Sequence, residues 1–370
     1  MNSKVVILCS GFGLGFYVPG LLISNSFTKK DIESEVVVFE DYVVKEKRDN
    51  ILVNKTAYHD NFKAALLAQR MPWDIRQSFD TKKVDMLLNS WKENEIENFI
   101  VLSGHWVFLL EEYKKRFNLE KINAQIIYID CKPSPSWKSL NKYIQNYSDG
   151  YAETFLFDYD NNEVKYTIGI EEDDVIIFEE RENRFMIHGG GWGMGTYKDK
   201  IPELEEQGFG LDIIAYKIEE ASQQKAKNRY FMMDPQWTAW GHEKHNKAVF
   251  PPFAEIIADK ETKFITKDEY HPSFDLAKSC KAMISKPGGG TLIDSLNACT
   301  PIILLDPFGD HEKKNAELWK SLGFGISYDK WKEAGFDMEI LNKLHRNLLK
   351  QKKISKDYTT EYIKLKVERR

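Results

Sequence analysis

Residues 281–325 constrain the fold of this chain more than any other stretch. They begin with a short apolar run at 282–284, continue through three consecutive glycines at 288–290, and enter a helical pattern at Thr291. A second apolar run, residues 302–305, lies between two prolines, and a charged helical pattern occupies residues 311–322. Buried strands that alternate with helices predict a parallel α/β unit. Because glycine lacks a Cβ atom, the turn lets an anion reach the backbone N–H groups at the start of the helix.

This segment resembles the donor-binding signature of the GT-B glycosyltransferases that use nucleotide sugars. It is most similar to the diacylglycerol glycosyltransferases, the N-acetylglucosaminyltransferase that forms lipid II, and the UDP-glycosyltransferases. The resemblance implies an α/β GT-B fold, in which two Rossmann-like domains with parallel sheets face a central cleft. The alternative is a βαβ unit of some other nucleotide-binding protein, since a fold alone does not fix a function. The matching residues are Ser285, Lys286, Pro287, Gly288, Gly289, Thr291, Asp294, Glu312, Asn315 and Ala316.

The resemblance implies donor-binding roles for these residues. The backbone N–H groups of Gly288, Gly289, Gly290 and Thr291 would bind the diphosphate of the donor. Asp294 would accept hydrogen bonds from the ribose hydroxyls, because a carboxylate offers two acceptor oxygens. A surface position on the helix is the alternative for this acid.

The family holds the sugar hydroxyls with residues that match Asp310, His311 and Glu312. His311 replaces a glutamine of the family, so the resemblance does not identify the donor sugar. Asn315 also fits the family pattern. Asp310 at the start of the charged helix is equally consistent with a helix cap.

A second glycine-rich segment, residues 188–196, follows an apolar run at 185–187. It is typical of the first strand and turn of the donor domain. By resemblance, Gly190 and Gly191 would approach the diphosphate and the sugar.

The first glycine-rich turn, residues 10–15, follows an apolar strand at residues 5–9. Gly15 and the Pro-Gly-Leu sequence at 19–21 fit the loop that opens the acceptor domain of GT-B enzymes. Many of these enzymes carry a histidine after the glycines, at or near the catalytic base, and this chain has Phe16 there. We therefore predict Phe12 and Phe16 to be acceptor contacts.

Two other residues are candidate catalytic groups. His105 and Asp130 each follow an apolar run that predicts a parallel strand. The carboxyl ends of such strands face the ligand crevice of an open α/β sheet. An imidazole there can accept a proton near neutral pH, and a carboxylate can orient a base or act as one. Helix capping and turn formation are the alternatives for both residues.

Size and charge limit the class of protein. A chain of 370 residues fits two domains, and a net charge of −5 disfavours nucleic acid as a partner. No apolar run approaches the length of a membrane span, and no signal-peptide pattern precedes the first strand, so we expect a cytoplasmic protein. The scattered cysteines have no metal-type spacing and are predicted to be reduced; they are Cys9, Cys131, Cys280 and Cys299.

We predict an acceptor domain at residues 1–170, a linker near 170–183, a donor domain at 184–350, and a C-terminal helix at 351–370 that could pack back on the first domain. His59 and Asp60 are predicted to be solvent-exposed rather than a catalytic pair. His242 and His245 lack a third ligand, so a metal site is not predicted.

The sequence therefore predicts an inverting, metal-independent glycosyltransferase. It would use a UDP-sugar or dTDP-sugar as co-substrate, with no other cofactor, and a small-molecule or lipid acceptor. The basic C-terminal helix keeps peripheral membrane contact open. The alternative is a nucleotide-sugar-binding protein of the same fold without transferase activity. It is motivated by Phe16 at the position where many family members have a histidine. An epimerase would need acidic and basic groups around the sugar that the sequence does not identify.

Overall fold

A computed structural model describes residues 4–69, 74–170, 175–221, 227–241, 248–258 and 260–368. Within them, a five-stranded and a seven-stranded sheet form two α/β domains. Short 3₁₀ helices lie at Phe39–Tyr42, Ile75–Ser78, Tyr147–Gly150, Phe178–Glu180, Gly190–Trp192 and Ile218–Ala221.

The first domain is a parallel sheet with strand order β2-β1-β3-β4-β5. Its strands are β1 (Val5–Cys9), β2 (Ser34–Val38), β3 (Asn98–Val101), β4 (Asn123–Tyr128) and β5 (Ala152–Phe155). Its helices are α1 (Leu14–Thr28), α2 (Lys45–Asp60), α3 (Phe62–Ala68), α4 (Thr81–Glu93), α5 (His105–Arg116) and α6 (Pro135–Leu140). A small antiparallel hairpin follows, formed by β6 (Phe157–Asp158) and β7 (Glu163–Val164).

The second domain has the strand order β11-β10-β9-β8-β12-β13-β14, parallel except for the edge pair β10 and β11. Its strands are β8 (Glu182–His188), β9 (Gly210–Ile214), β10 (Arg229–Met233), β11 (Phe253–Ile256), β12 (Cys280–Ser285), β13 (Ile302–Leu304) and β14 (Gly325–Ser327). Its helices are α7 (Tyr197–Glu206), α8 (Ser273–Ser279), α9 (Gly289–Ala298), α10 (Asp310–Ser321), α11 (Tyr328–Glu333) and α12 (Met338–Ile354), and a last helix, α13 (Tyr358–Glu368), follows.

One hydrophobic core continues across the two domains. Leu22 of α1 belongs to the same buried cluster as Leu292 of α9. Helix α13 lies against the first domain, where the Tyr362 and Phe27 rings are 5.3 Å apart and the Tyr358 hydroxyl donates to Gln125 at 2.8 Å. Residues that follow the carboxyl ends of strands in both sheets line one cleft between the domains.

The first sheet ends at Phe155 and the second begins at Glu182. Residues 171–174 of the predicted linker lie outside the described residues. No helix in the described ranges is both long enough and apolar enough to cross a bilayer.

Candidate active site

A cavity of about 1260 Å³ lies between the two domains. Its walls include the glycine turn after β1 and the first turns of α5 and α9. Parallel strands place their carboxyl ends at one edge of each sheet, and the packing of the two domains against each other brings these turns together.

The turn between β12 and α9 presents uncapped backbone N–H groups. Helix α9 begins at Gly289, its N-cap residue is Gly288, and no side chain caps it. The first N–H groups of a helix have no intrahelical acceptor, and the helix dipole adds positive potential there. Gly288, Gly289, Gly290 and Thr291 all line the cavity. The geometry suits an anionic group.

Asp294 lines the same cavity one turn further along α9. It has no hydrogen-bond partner in the part of the chain that the structure describes. Burial raises the pKa of Asp294 to about 7. A carboxylate without a protein partner is available to accept hydrogen bonds from a ligand.

The turn after β8 approaches α9 from the neighbouring strand. Gly190 adopts a φ of +73°, and a Cβ at Gly191 would lie 2.7 Å from Leu14 Cγ of the first domain. Both glycines line the cavity. Larger residues would separate this turn from α1, so glycine is required for the close approach.

Glu312 and Lys286 form a buried ion pair at 2.5 Å beside the α9 turn. The second oxygen of Glu312 accepts the Phe308 N–H at 2.7 Å. Burial raises the pKa of Glu312, but the charges of Lys286 and His311 outweigh this and lower it. Each Glu312 oxygen therefore already accepts one hydrogen bond within the protein, and the contact with sugar hydroxyls stays a prediction that would use the remaining lone pairs.

Asp310 and His311 differ in exposure. The Asp310 side chain is 85% exposed and lies 3.3 Å from Lys138 of the first domain. His311 is buried. Both residues line the cavity, at the start of α10. Asp310 is not the N-cap of α10, because the cap position is Gly309.

Ser285 and Asn315 do not line the cavity. Ser285 is fully buried, and its hydroxyl lies 3.5 Å from His188 Nδ1. The buried Asn315 amide accepts the Cys131 N–H at 2.8 Å and donates to Asp130 at 2.7 Å and to the Pro287 carbonyl at 2.8 Å. The donor contact of these two residues stays a prediction; in the structure Asn315 joins the domains, and Ser285 supports the turn from within.

Asp130 lies where the two domains meet. A Cβ at Gly289 would lie 3.0 Å from Asp130 Oδ1, so the carboxylate is next to the α9 turn. Burial raises the pKa of Asp130, whereas the charge of His311 and the hydrogen bond from Asn315 oppose that rise. Its second oxygen has no hydrogen bond to the described residues. Asp130 lines the cavity and is placed to take a proton there.

His105 is the first residue of α5 and also lines the cavity. Its Nδ1 is buried without a hydrogen-bond partner among the described residues. Burial lowers the pKa of His105 to about 4. A histidine base is usually oriented by an acceptor at the second nitrogen. His105 lacks such an acceptor among the described residues.

The glycine turn after β1 is closed by Glu40, a residue that the sequence did not single out. The Glu40 carboxylate accepts the Ser10 hydroxyl and the Gly11 N–H, both at 2.6 Å, and the Phe12 N–H at 3.0 Å. Burial raises the pKa of Glu40, and these three hydrogen bonds oppose the rise. An internal carboxylate therefore occupies this turn.

Phe12 and Phe16, predicted as acceptor contacts, both line the cavity. Phe12 is 44% exposed, and its ring centroid lies 4.2 Å from that of Trp192 in the second domain. Further apolar residues of the first domain share this wall; they include Val18, Leu22, Phe39, Val43, Ile51 and Tyr58.

The prediction that His59 is solvent-exposed is wrong. Its side chain is buried, with Nδ1 2.7 Å from the Gly193 carbonyl oxygen and Nε2 2.6 Å from Glu220 Oε1. Burial raises the pKa of Glu220, but hydrogen bonds from His59 and the Tyr216 N–H outweigh it and lower the pKa to about 2. His59 thus joins α2 to the glycine turn of the second domain.

His242 and His245 lie outside the described residues. Within the ranges that are described, no group of three His, Cys, Asp or Glu side chains is arranged to hold a metal ion.

The chain is similar in fold to known glycosyltransferases. It matches the spinosyn rhamnosyltransferase SpnG with a TM-score of 0.58 at 9% identity, over 98% of this chain and 99% of that one. It matches MurG of Acinetobacter baumannii with a TM-score of 0.52 at 10% identity, over all of both chains. The match to glycosyltransferase VinC in complex with dTDP has a TM-score of 0.56 at 9% identity, over 99% of this chain and 98% of that one. The predicted GT-B fold is confirmed.

Sequence similarity to curated proteins is local. The chain is 39% identical over 69 residues to a processive diacylglycerol beta-glucosyltransferase of Staphylococcus epidermidis. The match spans 19% of this chain and only 17% of that relative. No family model matches the chain.

Proposed function

We propose that the protein is a glycosyltransferase that moves a sugar from a nucleotide sugar to an acceptor hydroxyl. The observation that carries this proposal is the uncapped N-terminus of α9, which opens into the interdomain cavity with Asp294 beside it. The similarity in fold to VinC and to SpnG, each with a thymidine diphosphate bound, supports a UDP-sugar or dTDP-sugar as the co-substrate.

The α9 turn would hold the diphosphate of the donor. Its N–H groups and helix dipole stabilise the negative charge that develops as the nucleoside diphosphate leaves. Asp294 would accept hydrogen bonds from the ribose, and Gly190 and Gly191 would let the second turn approach the same phosphates. Because the backbone N–H groups and the helix dipole supply positive potential at the diphosphate, we propose that transfer needs neither a metal ion nor a resident cofactor.

Asp130 would act as the general base. It removes the proton of the acceptor hydroxyl as the acceptor oxygen attacks C1 of the sugar, and the bond between C1 and the diphosphate oxygen breaks. One displacement from the face opposite the leaving group inverts the configuration at C1. Asp130 is suited to this step because it lies next to the α9 turn and has one free oxygen.

The acceptor would bind against the first domain. Phe12, Phe16 and the apolar residues beside them favour a small apolar molecule or the apolar part of a lipid. The name of the Staphylococcus epidermidis relative is consistent with a lipid acceptor. A cytoplasmic location and peripheral membrane contact stay predictions.

A second candidate function is nucleotide-sugar binding without transfer. It is favoured by Phe16 at the usual histidine position and by the absence of an orienting partner for His105 among the described residues.

Calorimetric titration with UDP, dTDP, GDP and ADP tests the proposal. We expect selective binding of UDP or dTDP, and release of free sugar from the matching nucleotide sugar. Folded protein that binds none of the four would contradict both candidates. Binding without hydrolysis or transfer over a panel of donors would favour the second.

A further inference from the structure

Two histidines of the second domain share one local geometry. His188 ends β8, and His271 lies two residues before α8. His188 Nδ1 accepts the N–H of Gly190 at 3.1 Å. His271 Nδ1 accepts the N–H of Ser273 at 3.2 Å and lies 2.6 Å from the hydroxyl oxygen of the same serine, which can donate to it. In both cases the side chain accepts from the backbone two residues later, as in an Asx turn.

This geometry fixes the tautomer of each ring. A ring nitrogen that accepts an N–H cannot itself carry a proton, and a neutral imidazole has one N–H. Burial lowers the pKa of His188 to about 4, with help from Lys286, and lowers that of His271 to about 3, so both rings are neutral at pH 7. The single proton of each ring is therefore on Nε2.

Both Nε2 atoms are buried without a partner among the described residues, and both histidines line the cavity. Each side chain is more than nine-tenths buried. A buried N–H without an acceptor costs free energy, and native structures seldom keep one unless a ligand, an ion or water satisfies it.

The surroundings of the two rings differ. His188 lies between the two glycine turns: it bonds to Gly190, and Ser285 at the end of β12 lies 3.5 Å from its Nδ1. His271 lies among aromatic rings; its ring centroid is 5.2 Å from that of Phe253, and Tyr270 and Phe274 line the cavity beside it.

We propose that His188 and His271 are fixed hydrogen-bond donors to the donor nucleotide. His188 Nε2–H donates to a diphosphate oxygen, and His271 Nε2–H donates to a carbonyl oxygen of a pyrimidine base. Aromatic surroundings suit the flat base, whereas the glycine turns suit phosphate. This inference depends on the function proposed above and adds two side chains to a site otherwise built from backbone groups and Asp294.

The test uses His188→Asn and His271→Asn. The Asn oxygen can accept the same N–H two residues later, so the local turn is kept while the Nε2 donor is lost. Each variant is titrated with the tighter ligand of UDP and dTDP, and with its nucleoside. A neutral hydrogen bond corresponds to roughly 2–12-fold in affinity.

A hydrogen bond to a charged group contributes more than a neutral one, so we expect His188→Asn to weaken diphosphate binding by roughly 10–100-fold and to leave nucleoside binding unchanged. His271→Asn removes a neutral hydrogen bond and should weaken binding of both ligands by about 5-fold. His345→Asn is the matched control. His345 also has a buried, unpartnered Nε2, but its Nδ1 faces the Cys299 carbonyl and it does not line the cavity, so neither affinity should change.

Unchanged diphosphate affinity in both folded variants would overturn the inference, and so would equal weakening of nucleoside and diphosphate by His188→Asn. Wild-type protein that binds no nucleotide would instead overturn the function proposed above. If a variant does not fold, ¹⁵N spectra of wild-type protein decide: a protonated Nδ1 on His188 or His271, or an Nε2–H resonance unmoved by the ligand, contradicts the assignment.

Discussion

The glycine-rich turn after β1 in the first domain and the turn between β12 and α9 in the second domain both follow a buried strand. They differ in what accepts their backbone N–H groups. In the turn after β1, the N–H groups of Gly11 and Phe12 donate to the carboxylate of Glu40. The helices that follow the two turns both lack a side-chain cap, but in the turn before α9 no carboxylate of the described residues accepts the N–H groups, and the turn opens into the cavity. Glycines mark where backbone N–H groups converge. Whether a ligand can bind there depends on whether the chain supplies its own anion.

Asp130 is also a carboxylate beside a glycine turn, the turn between β12 and α9, which we call the open turn. It takes a hydrogen bond from Asn315 at 2.7 Å, and no N–H of the α9 turn donates to it within the described residues. Asp130 therefore borders the open turn without closing it. Glu40, in contrast, accepts the N–H groups of the turn that it closes.

Asp130→Asn should have the largest effect. Loss of a general base costs roughly 10²–10⁴-fold in turnover. The Asn oxygen can still accept from Asn315, so the fold should persist, and removal of a carboxylate beside the α9 turn should keep or tighten UDP binding. Turnover is measured as sugar release from the donor, and affinity by calorimetry. Asp160→Asn is the control, because this exposed acid does not line the cavity and should leave turnover within a few-fold; an Asp130→Asn variant with normal turnover would remove the assigned base.

Glu40→Ala should open the turn that the chain normally closes. It leaves the Gly11 N–H and the Ser10 hydroxyl without their acceptor, while the Phe12 N–H keeps only the Ser10 oxygen at 3.2 Å. This should lower the free energy of unfolding by about 2 kcal/mol. Inorganic phosphate could then occupy the vacated turn and restore part of that stability. Denaturant unfolding with and without phosphate measures both effects.

Wild-type protein and Glu40→Gln are the controls for this experiment. The Gln oxygen still accepts one N–H, so its loss of stability should be smaller. If Glu40→Ala is as stable as wild type, the two turns do not differ in the way the hydrogen bonds indicate.

Much of the α9 turn could be predicted from the sequence because its signals are local. The apolar run at residues 282–284 lies within β12, and the charged pattern at 311–322 matches α10 within one residue at each end. Glycines, prolines and periodicity act over a few residues, and they are readable without tertiary structure.

The residues that close or join the turns could not be predicted in the same way. Glu40 is 29 residues from Gly11, and His59 is 161 residues from Glu220. Asn315 matches the family pattern, yet its amide is used by Cys131, 184 residues away. A local pattern shows which residue type is present but not which distant partner has already taken its hydrogen bonds.

Gly289→Ala and Gly290→Ala test how tightly the open turn is built against the first domain. A Cβ at Gly289 would lie 2.6 Å from Ile129 Cγ2 and 2.8 Å from its carbonyl oxygen, so we expect a loss of about 1–3 kcal/mol in unfolding free energy. At Gly290 the nearest atom would be Gly15 Cα at 3.9 Å. There, alanine should gain about 0.5–1 kcal/mol from helix propensity.

Thermal unfolding and UDP titration compare these two variants. The two variants should differ in stability but not in binding. Gly290→Ala places a Cβ in the cavity beside the N–H groups proposed to hold the diphosphate, and Gly289→Ala moves α9 away from Ile129, so both should weaken nucleotide binding. Equal stability of the two variants would mean that the domains separate more easily than the contact at Ile129 indicates.

Asp294 gives the smallest expected effect and tests the open turn through pH. Burial raises the pKa of Asp294 to about 7, above its ordinary value of about 3.9. The folded protein therefore holds this proton more tightly than the unfolded chain does, and the contribution of Asp294 to stability falls as pH rises from about 4 to 7. Asp294→Asn removes that penalty, so its thermal stability should exceed that of wild type at pH 8 and approach it at pH 4.

The affinity for a nucleoside should change with pH in the opposite direction to the stability. Ribose hydroxyls donate to the ionised carboxylate, so wild-type affinity for uridine, which has no phosphate to titrate, should rise by up to about tenfold between pH 6 and 8 if only the ionised form binds. Asp294→Asn should bind uridine more weakly at pH 8, with no pH dependence. If wild-type affinity is flat or falls over this range, Asp294 does not accept the ribose, and the uncapped α9 turn would hold its ligand through the phosphates alone.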